Sequence, residues 1–362
     1  MKKLKAGVVG LNFGRFIIER CIVNSEGRDF FELEAVCDVN RARVDAAVKA
    51  YGCKGYGSLD ALLEDEAVEV VVLMTGPNGR ADLIRRIIRA GRDVITTKPF
   101  EVDAEAAETV LGEARAAGRF VYLNSPCAVR SRDWRVIDEW RERHRLGRPV
   151  AASFQAWHKT VEAADGSWYD DSELCFVAPV LRLGIYAVND LVPVFGQPTE
   201  IQILESRVFT GRPTADLAKV QLRFADGALV DLMNGFTMQP PRSEDSMILY
   251  FENGTIYRNP PLWVSNHPSG QTYLCLVTPQ SRDGVPCEVV RLPNAECSRA
   301  YQWNVFHKAM TTRVRPAEET ADEQIVAGVR LLQSIKEADA RGGRLVNSKH
   351  ATVAEIPQTV NA

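Results

Sequence analysis

The stretch AGVVGLNFGR at residues 6–15 decides the fold of this chain. Its apolar start, residues 6–9, predicts a short buried strand, and Gly10 and Gly14 allow a tight turn into a helix predicted over residues 15–23. The backbone N–H groups at the start of such a helix, together with its positive dipole end, favour a bound phosphate group. The stretch therefore predicts a phosphate-binding turn between a strand and a helix.

A second strand and an acidic residue follow at the spacing of a dinucleotide-binding βαβ unit. Residues 33–37 predict the strand, and Asp38 comes directly after it, about 24 positions beyond Gly14. A carboxylate there can accept hydrogen bonds from the adenosine ribose hydroxyls of NAD, and it repels the 2′-phosphate of NADP. Arg41 and Arg43 favour NADP mildly, since an arginine near this turn can neutralise that phosphate. We expect NAD as the cofactor, with NADP as the alternative.

The glycine pattern of the turn is imperfect, because Asn12 stands where a second glycine is expected. The alternative interpretation is an ordinary loop that happens to contain glycines. The correct order of strand, turn, helix, strand and acid favours the cofactor interpretation instead. Asparagine accepts unusual backbone angles, so we expect the backbone of Asn12 to face the phosphates. The residues of this unit predicted to bind the cofactor are Gly10, Asn12, Phe13, Gly14, Asp38 and Arg43.

Composition indicates a globular enzyme rather than a nucleic-acid or membrane protein. The 362 residues exceed one ordinary core and predict two domains, and the net charge of −3 gives no reason to expect nucleic acid or an anionic membrane as a partner. No apolar run is long enough to span a bilayer, and we expect no signal peptide because residues 1–5 run directly into the first predicted strand. The eight cysteines form no Cys-x-x-Cys pair, so we expect a reduced cytoplasmic protein without a metal site.

Strands and helices keep alternating through the first third of the chain. The pattern predicts helices over residues 41–51, 59–64, 80–90 and 104–117, and strands over residues 68–74, 94–97 and 120–123. Such alternation implies right-handed crossovers and one parallel sheet, whose ligands lie beyond the carboxyl ends of its strands. We therefore expect further cofactor contacts from the loops that follow two of these strands, namely Thr75, Gly76, Pro77, Asn78, Thr97 and Lys98.

The remainder of the chain predicts a different architecture. Helices are expected over residues 132–145, 180–195 and 318–340, and most of the rest has the pattern of strands. Asp226-Gly227 and Asn253-Gly254 each join two strand-like runs, which indicates two β-hairpins. The predicted fold class is α/β. It combines a Rossmann domain over residues 1–123, an α+β domain with a large, mostly antiparallel sheet over 124–345, and a C-terminal arm over 346–362.

In its motifs the chain resembles the family of glucose–fructose oxidoreductase, inositol dehydrogenase and MocA. Five features match in order: the N-terminal glycine turn, Cys37-Asp38, the loop TGPN at residues 75–78, TKP at 97–99, and GIYAVND at 184–190. The resemblance implies an N-terminal Rossmann domain, a C-terminal domain with an open-faced sheet, and a bound nicotinamide nucleotide. It also implies a sugar, polyol or related small molecule as substrate, and a homodimer or homotetramer joined through the open sheet.

The resemblance assigns catalysis to Lys98 and Tyr186, with Lys98 as an electrostatic aid and Tyr186 as the group that exchanges a proton. The alternatives are a surface lysine beside a proline and a core aromatic. Asn189 is expected to hold a substrate hydroxyl, and Asp190 to support the site or to be solvated. His158, at the end of a predicted strand, is either a substrate-binding residue or a structural one.

Four departures from the family pattern concern the same regions. Thr97 replaces a glutamate, Arg80 stands where histidine is common, Arg182 takes an aspartate position, and CFVAP at residues 175–179 replaces a glycine-rich entry. Arg182 is nevertheless expected to contact the substrate. The leading hypothesis is an NAD-dependent oxidoreductase. The alternatives are a hydrolase or lyase of the same family that oxidises its substrate transiently with NAD, and a cofactor-binding regulatory protein without turnover.

Overall fold

The computed structural model describes residues 2–158, 163–236, 244–260, 270–281 and 285–346. These form two compact units. Unit 1 contains the residues up to Arg132 together with Ala295–Arg330, and unit 2 contains Asp133–Asn294 and the residues from Leu331 on. Among the described residues, no helix combines the length and the apolar character needed to cross a lipid bilayer.

Unit 1 is built on a six-stranded sheet in which every neighbouring pair is parallel. Its order is β3-β2-β1-β4-β5-β6, so β1 and β4 are the two central strands. The strands are β1 (Leu4–Val9), β2 (Phe31–Cys37), β3 (Lys54–Tyr56), β4 (Val70–Leu73), β5 (Asp93–Thr96) and β6 (Val121–Tyr122). From β1 the strands are added in one direction up to β3 and in the opposite direction from β4 to β6, and parallel sheets of this kind bind ligands at the point between β1 and β4 where the order reverses.

Helices cover both faces of this sheet and give it two apolar cores. The helices are α1 (Leu11–Ile17), which continues as a π-helical turn (Ile18–Val23), α2 (Arg41–Tyr51), α3 (Leu59–Leu63), α4 (Arg80–Arg89) and α5 (Ala104–Ala116). All four residues of β4 are buried, as expected for a central strand covered on both faces. The predicted parallel sheet is confirmed, although helix α1 begins at Leu11 and not at Arg15.

A late segment of the chain also belongs to unit 1. Helix α8 (Trp303–Thr312) adds Trp303 and Phe306 to the core formed by Phe31 and Tyr122. The sequence-based boundaries, which assigned residues 124–345 to a second domain, differ from this division. The helical pattern of α8 is short, and only long-range packing reveals which sheet it covers. The predicted arm over 346–362 lies outside the described residues apart from Val346, which ends a strand.

Unit 2 contains a nine-stranded sheet of order β14-β13-β12-β11-β7-β10-β9-β8-β15. Its strands are β7 (Pro149–Trp157), β8 (Glu200–Ser206), β9 (Leu217–Arg223), β10 (Leu229–Gly235), β11 (Glu244–Phe251), β12 (Gly254–Arg258), β13 (Gln271–Val277), β14 (Glu288–Pro293) and β15 (Arg344–Val346). Both predicted hairpins are present, as β9–β10 and β11–β12. Every neighbouring pair is antiparallel except β7 and β10, which run parallel.

One face of this sheet is packed and the other is accessible along β9 and β10. Along β9 and β10, residues such as Val220 and Leu232 are buried, while the alternate residues are exposed or half-buried. This period of two is what a half-buried strand requires. The helices of this part of the chain are α6 (Arg132–Arg143), a π-helical turn (Val180–Gly184) that leads into α7 (Ile185–Phe195), and α9 (Asp322–Ala340), whose last turns belong to unit 2.

Candidate functional site

The turn after β1 depends on two glycines that pack against neighbouring strands. Gly10 has a φ of +88°, and a Cβ on it would lie 2.9 Å from the carbonyl carbon and oxygen of Met74. A Cβ on Gly14 would lie 3.0 Å from a methyl group of Val8. Glycine therefore lets the turn touch β4 and lets α1 pack closely on β1. Asn12 is exposed in the first turn of the helix, so its side chain is not needed for this packing.

Asp38 joins the end of β2 to this turn. One oxygen of its buried carboxylate accepts a hydrogen bond from the backbone N–H of Leu11 at 2.7 Å, and the other accepts one from Asn40 at 2.8 Å. The guanidinium of Arg43 lies 3.9 Å away. A carboxylate oxygen has two lone pairs, so both oxygens can accept a further bond from a ribose hydroxyl. Asp38 therefore has a structural role even without a ligand, which the sequence did not predict.

Arg80 ties together the loops that follow β4 and β5. Its side chain is buried, with an exposure of 1%. Nη1 donates hydrogen bonds to the carbonyl oxygens of Thr97 at 2.6 Å, of Phe100 at 3.3 Å and of Pro99, while Nη2 donates to the carbonyl oxygen of Thr75. Because α4 begins at Arg80 and helical side chains tilt towards the N-terminus, this side chain reaches the loops in front of the helix. Three of its four acceptors surround Lys98.

Glu101 accepts a hydrogen bond from a backbone N–H group at the start of the same helix, α4. Its carboxylate is 1% exposed and accepts hydrogen bonds from the backbone N–H of Ala81 and of Val102, each at 2.8 Å. An arginine at the start of a helix opposes the helix dipole, and an acidic group there offsets this cost. The sequence analysis missed Glu101. Its place shortly after the TKP segment was the available signal, but only the fold shows that it reaches α4.

Asn124 holds the backbone on the other side of Lys98. Its Oδ1 accepts hydrogen bonds from the Thr97 hydroxyl at 3.3 Å and from the Lys98 N–H at 3.2 Å. Its Nδ2 donates to the carbonyl oxygen of Arg299 at 3.2 Å. Thr97 is buried, whereas Lys98 is half-buried at the carboxyl end of β5. The threonine that replaces the expected glutamate thus supports the loop that carries Lys98.

The predicted cofactor residues of unit 1 come together at one edge of its sheet. Contacts link Gly10 to Met74, Asp38 to the first turn of α1, and the Thr75 loop to the Thr97 loop through Arg80. The first turn of α1 contains no acidic residue, so its positive end faces this edge without a competing carboxylate. A positive-φ glycine turn, a helix start and a carboxylate at the end of β2 fit a nicotinamide dinucleotide.

In unit 2, the predicted residues of α7 lie on a largely buried helix. Tyr186 is half-buried, while Asn189 is 4% and Asp190 is 9% exposed. Positions three and four apart lie on one helix face, so Asn189 and Asp190 each lie next to Tyr186 on the surface of the helix. The low exposure of Asp190 contradicts the alternative that its carboxylate is merely solvated. Whether Asn189 holds a substrate hydroxyl stays a prediction.

A close contact between the π-helical turn and the sheet sets where α7 begins. A Cβ on Gly184 would lie 2.2 Å from Oδ1 of Asn234 on β10, and Asn234 is fully buried. Only glycine fits between the turn and this amide. Asn234 was missed by the sequence analysis, because an asparagine near the end of a strand carries no local signal of such a contact.

The carboxyl ends of β7 and β10 meet because these two strands are parallel. Trp157 pairs with Gly235, and the N–H of His158 donates a hydrogen bond to the Gly235 carbonyl at 3.0 Å. A Cβ on Gly235 would lie 2.7 Å from the Trp157 ring. His158 is exposed at this end, and Phe236 follows Gly235 as a buried residue. The predicted position of His158 at the end of a strand is confirmed.

Arg182 lies at the same end of the sheet. Its guanidinium carbon is 3.8 Å from the ring centroid of Tyr169 and 4.4 Å from that of Phe236. Distances below about 6 Å are characteristic of cation–π contacts. His158 and Arg182 therefore both border the Gly235–Phe236 corner of the sheet.

The segment that precedes Arg182 has an unusual backbone and an inert thiol. Val177 has a φ of +40°, a strained conformation for a β-branched residue that glycine would adopt freely. Its carbonyl accepts hydrogen bonds from the N–H groups of Val180 and Leu181. Burial raises the pKa of Cys175 to about 12, although the charges of Arg182 and Arg212 act in the opposite direction. Cys175 is therefore a neutral thiol at physiological pH and not a nucleophile.

Comparison with known proteins places both units in one family. Residues 4–125 match a family model described as an oxidoreductase family with an NAD-binding Rossmann fold, GFO_IDH_MocA. Residues 134–257 match the model of the GFO/IDH/MocA C-terminal domain.

Within the described residues, no group of three or more His, Cys, Asp or Glu side chains is arranged to hold a metal ion.

Individual relatives are similar over shorter regions. A stretch of 122 residues is 30% identical to dehydrogenase aclE of Aspergillus oryzae and covers 32% of this chain and 33% of that protein. A stretch of 79 residues is 37% identical to inositol 2-dehydrogenase of Rhizobium meliloti, covering 22% of this chain and 24% of that one. The matched regions thus span no more than about a third of these two relatives.

The fold extends over a whole solved structure. A putative NADPH-dependent oxidoreductase of Desulfitobacterium hafniense superposes with a TM-score of 0.72, covering 96% of this chain and 99% of that one at 15% identity. At that identity the likeness concerns the fold alone.

Replacing Arg80 tests whether its carbonyl contacts hold the cofactor edge together. Arg80→Met should lower the free energy of unfolding by about 3 kcal/mol or more, because buried carbonyl groups left without a donor cost roughly 1–3 kcal/mol each. Urea unfolding followed by circular dichroism measures this loss. The control is Arg86→Met, which removes a more exposed arginine of the same helix paired with Asp60 and should cost less than about 1 kcal/mol. Equal losses in the two variants would show that the Arg80 contacts contribute little.

Proposed function

Because the chain belongs to the glucose–fructose oxidoreductase, inositol dehydrogenase and MocA family, we propose that it is an NAD-dependent oxidoreductase. It transfers hydride between the nicotinamide and a hydroxyl or carbonyl group of a sugar, a polyol or a related small molecule. The observation that carries the proposal is the linked edge of unit 1, where contacts join the loops after β1, β4 and β5 and one of these loops carries Lys98.

Oxidation of a secondary alcohol removes a hydride from carbon and a proton from oxygen. When bound, the nicotinamide supplies the hydride acceptor, so the protein must take the proton and stabilise negative charge on the oxygen. In our proposal the phenolate form of Tyr186 accepts the proton during oxidation and the resulting phenol returns it during reduction, while the ammonium of Lys98 stabilises the charge. Arg80 and Asn124 support this role of Lys98, because they hold the backbone on both sides of it.

A substrate screen tests this function. Sugars and polyols are incubated with the full chain and NAD, and the formation of reduced nicotinamide is followed by absorbance. We expect turnover with at least one compound. Lys98→Ala should lower the turnover rate by roughly 10²- to 10⁴-fold, and Tyr186→Phe should lower it by a similar factor. Lys49→Ala, on the exposed side of α2, serves as the control and should keep wild-type turnover. Normal turnover in Tyr186→Phe would exclude the tyrosine as the proton-exchanging group.

We propose NAD rather than NADP as the physiological cofactor. The Asp38 carboxylate is held by two backbone N–H groups, so it cannot turn away from a 2′-phosphate without losing both bonds. The nearby guanidinium of Arg43 lies 3.9 Å from this carboxylate, which balances part of its positive charge. NADH should therefore bind more tightly than NADPH when both are titrated by nicotinamide fluorescence. Asp38→Asn should reduce the difference in affinity between NADH and NADPH. Tighter binding of NADPH than of NADH by the wild type would refute the assignment.

We also propose that the open face of the unit 2 sheet joins copies of the chain into a homodimer or homotetramer. Large apolar side chains on this face remain accessible, with Leu204 71% and Leu229 51% exposed. Strand register places Leu229 and Tyr250 in line across β10, β7 and β11.

Eight free cysteines support a reducing, cytoplasmic location.

A charge on this face tests the proposed assembly. Leu229→Glu should shift the mass measured by light scattering towards that of the monomer, because the interface would have to bury an unpaired carboxylate. Val314→Glu changes a valine of unit 1 that is 66% exposed and should leave the mass unchanged. A monomeric wild-type protein would contradict the proposal directly.

A further inference from the structure

Unit 2 contains a cavity of about 330 Å³ whose lining residues have no role in the proposed function. Side chains from β8, from the end of α9 and from the CFVAP segment at residues 175–179 line it. The pairing of β15 with β8 fixes the end of α9 beside β8, and the N–H of Ile203 donates a hydrogen bond to the Gly343 carbonyl at 2.8 Å. Regular elements therefore supply two of the walls, and such elements hold binding groups more precisely than loops do.

Two carboxylates that line this cavity, those of Glu205 and Asp339, lack a partner. Within the part of the chain that the structure describes, neither accepts a hydrogen bond or forms an ion pair. Loss of water raises the pKa of both carboxyl groups, and the charge of Asp339 raises that of Glu205 further. Arg207 also lines the cavity and acts in the opposite direction on the pKa of Glu205, while its Nη1 donates to the Pro213 carbonyl at 2.6 Å. Two like charges thus share one cavity, and a bound cation would stabilise both.

A buried thiol in the same cavity is a second, independent sign of a ligand. Cys175 is 1% exposed, and its thiol forms no hydrogen bond with any described residue. Hydroxyl groups of Ser172 and Thr214 line the cavity as well, and that of Thr214 already donates to the Tyr169 carbonyl at 2.8 Å. A hydroxyl that has donated its proton keeps lone pairs, and a thiol sulfur is a weak acceptor. The cavity therefore offers mainly acceptors, which fit a ligand that donates hydrogen bonds.

The lining groups also indicate which kind of cation fits. No three metal-binding side chains of the described residues come together, so the cavity lacks the ligands of a metal site. A primary ammonium needs only acceptors, and it carries three N–H donors on one nitrogen. At neutral pH the two carboxylates outweigh the single guanidinium of Arg207 by one negative charge, which one ammonium neutralises.

We propose that this cavity binds a small primary amine, with its ammonium group between Glu205 and Asp339. Val177, Pro213 and Ala215 provide apolar lining for a short carbon chain. Glu205 is exposed, so the ligand can enter from solvent. The site uses none of the residues assigned to the cofactor or to catalysis, and it is therefore independent of the proposed function.

Calorimetric titration of n-butylamine into the full chain at neutral pH tests this site. Glu205→Gln and Asp339→Asn keep the side-chain shape and remove one charge each. Each should weaken binding about 10- to 100-fold, the scale of a hydrogen bond to a charged group. The matched control is Glu337→Gln, an exposed acid of α9 that does not line the cavity, and it should keep the wild-type affinity. Circular dichroism establishes folding, and if Asp339→Asn does not fold, Glu205→Gln decides.

Three further probes identify the group that is recognised. 1-Butanol has the carbon chain without the charge, tetramethylammonium has the charge without N–H donors, and potassium chloride supplies an inorganic cation. We expect all three to bind at least 10-fold more weakly than n-butylamine. Equal binding of 1-butanol, or n-butylamine affinity unchanged in both carboxylate variants, would overturn the site. Equal binding of tetramethylammonium or potassium would overturn the choice of a primary ammonium, and absence of n-butylamine binding would refute the proposal outright.

Discussion

A buried guanidinium holds the ligand edge of unit 1. Arg80 donates to four backbone carbonyl groups, and these belong to the two loops that follow β4 and β5. A cation can be buried at this place because carbonyl dipoles replace its water, while Glu101 supplies negative charge at the start of the same helix. The backbone around Lys98 therefore depends on a residue at the start of α4 that has no proposed contact with substrate.

Glycines impose the second constraint, and they act in the same way in both units. At Gly10 the turn after β1 touches the carbonyl group of Met74, and at Gly184 the turn before α7 touches the amide of Asn234. Each lets a functional segment lie against a strand at a distance that any side chain would prevent. The glycine turn places the start of α1 beside Asp38. The contact between Gly184 and Asn234 places Tyr186 at the start of α7. In each unit, a rigid sheet thus positions groups that lie on turns and helices.

Sequence patterns predicted most elements but not all of their partners. The parallel sheet, both hairpins and helix α2 were predicted correctly, because their apolar periods and turn residues are local signals. The parallel pairing of β7 with β10 and the return of residues 295–330 to unit 1 were not predicted, since both depend on contacts between distant parts of the chain. The contacts of Glu101, Asn124 and Asn234 were missed for the same reason.

The sequence by itself determined the family, the fold class and the order of the candidate residues, because the glycine turn, Asp38 and the Lys98 segment occur at fixed spacing in one stretch. Only the tertiary structure decided what the departures from the family pattern do. Arg80 donates hydrogen bonds to backbone carbonyl groups, and the Thr97 hydroxyl donates one to Asn124. The guanidinium of Arg182 lies against two aromatic rings. The physical reason is that the role of a charged or polar side chain depends on the groups that burial places around it, and folding brings those groups from distant positions.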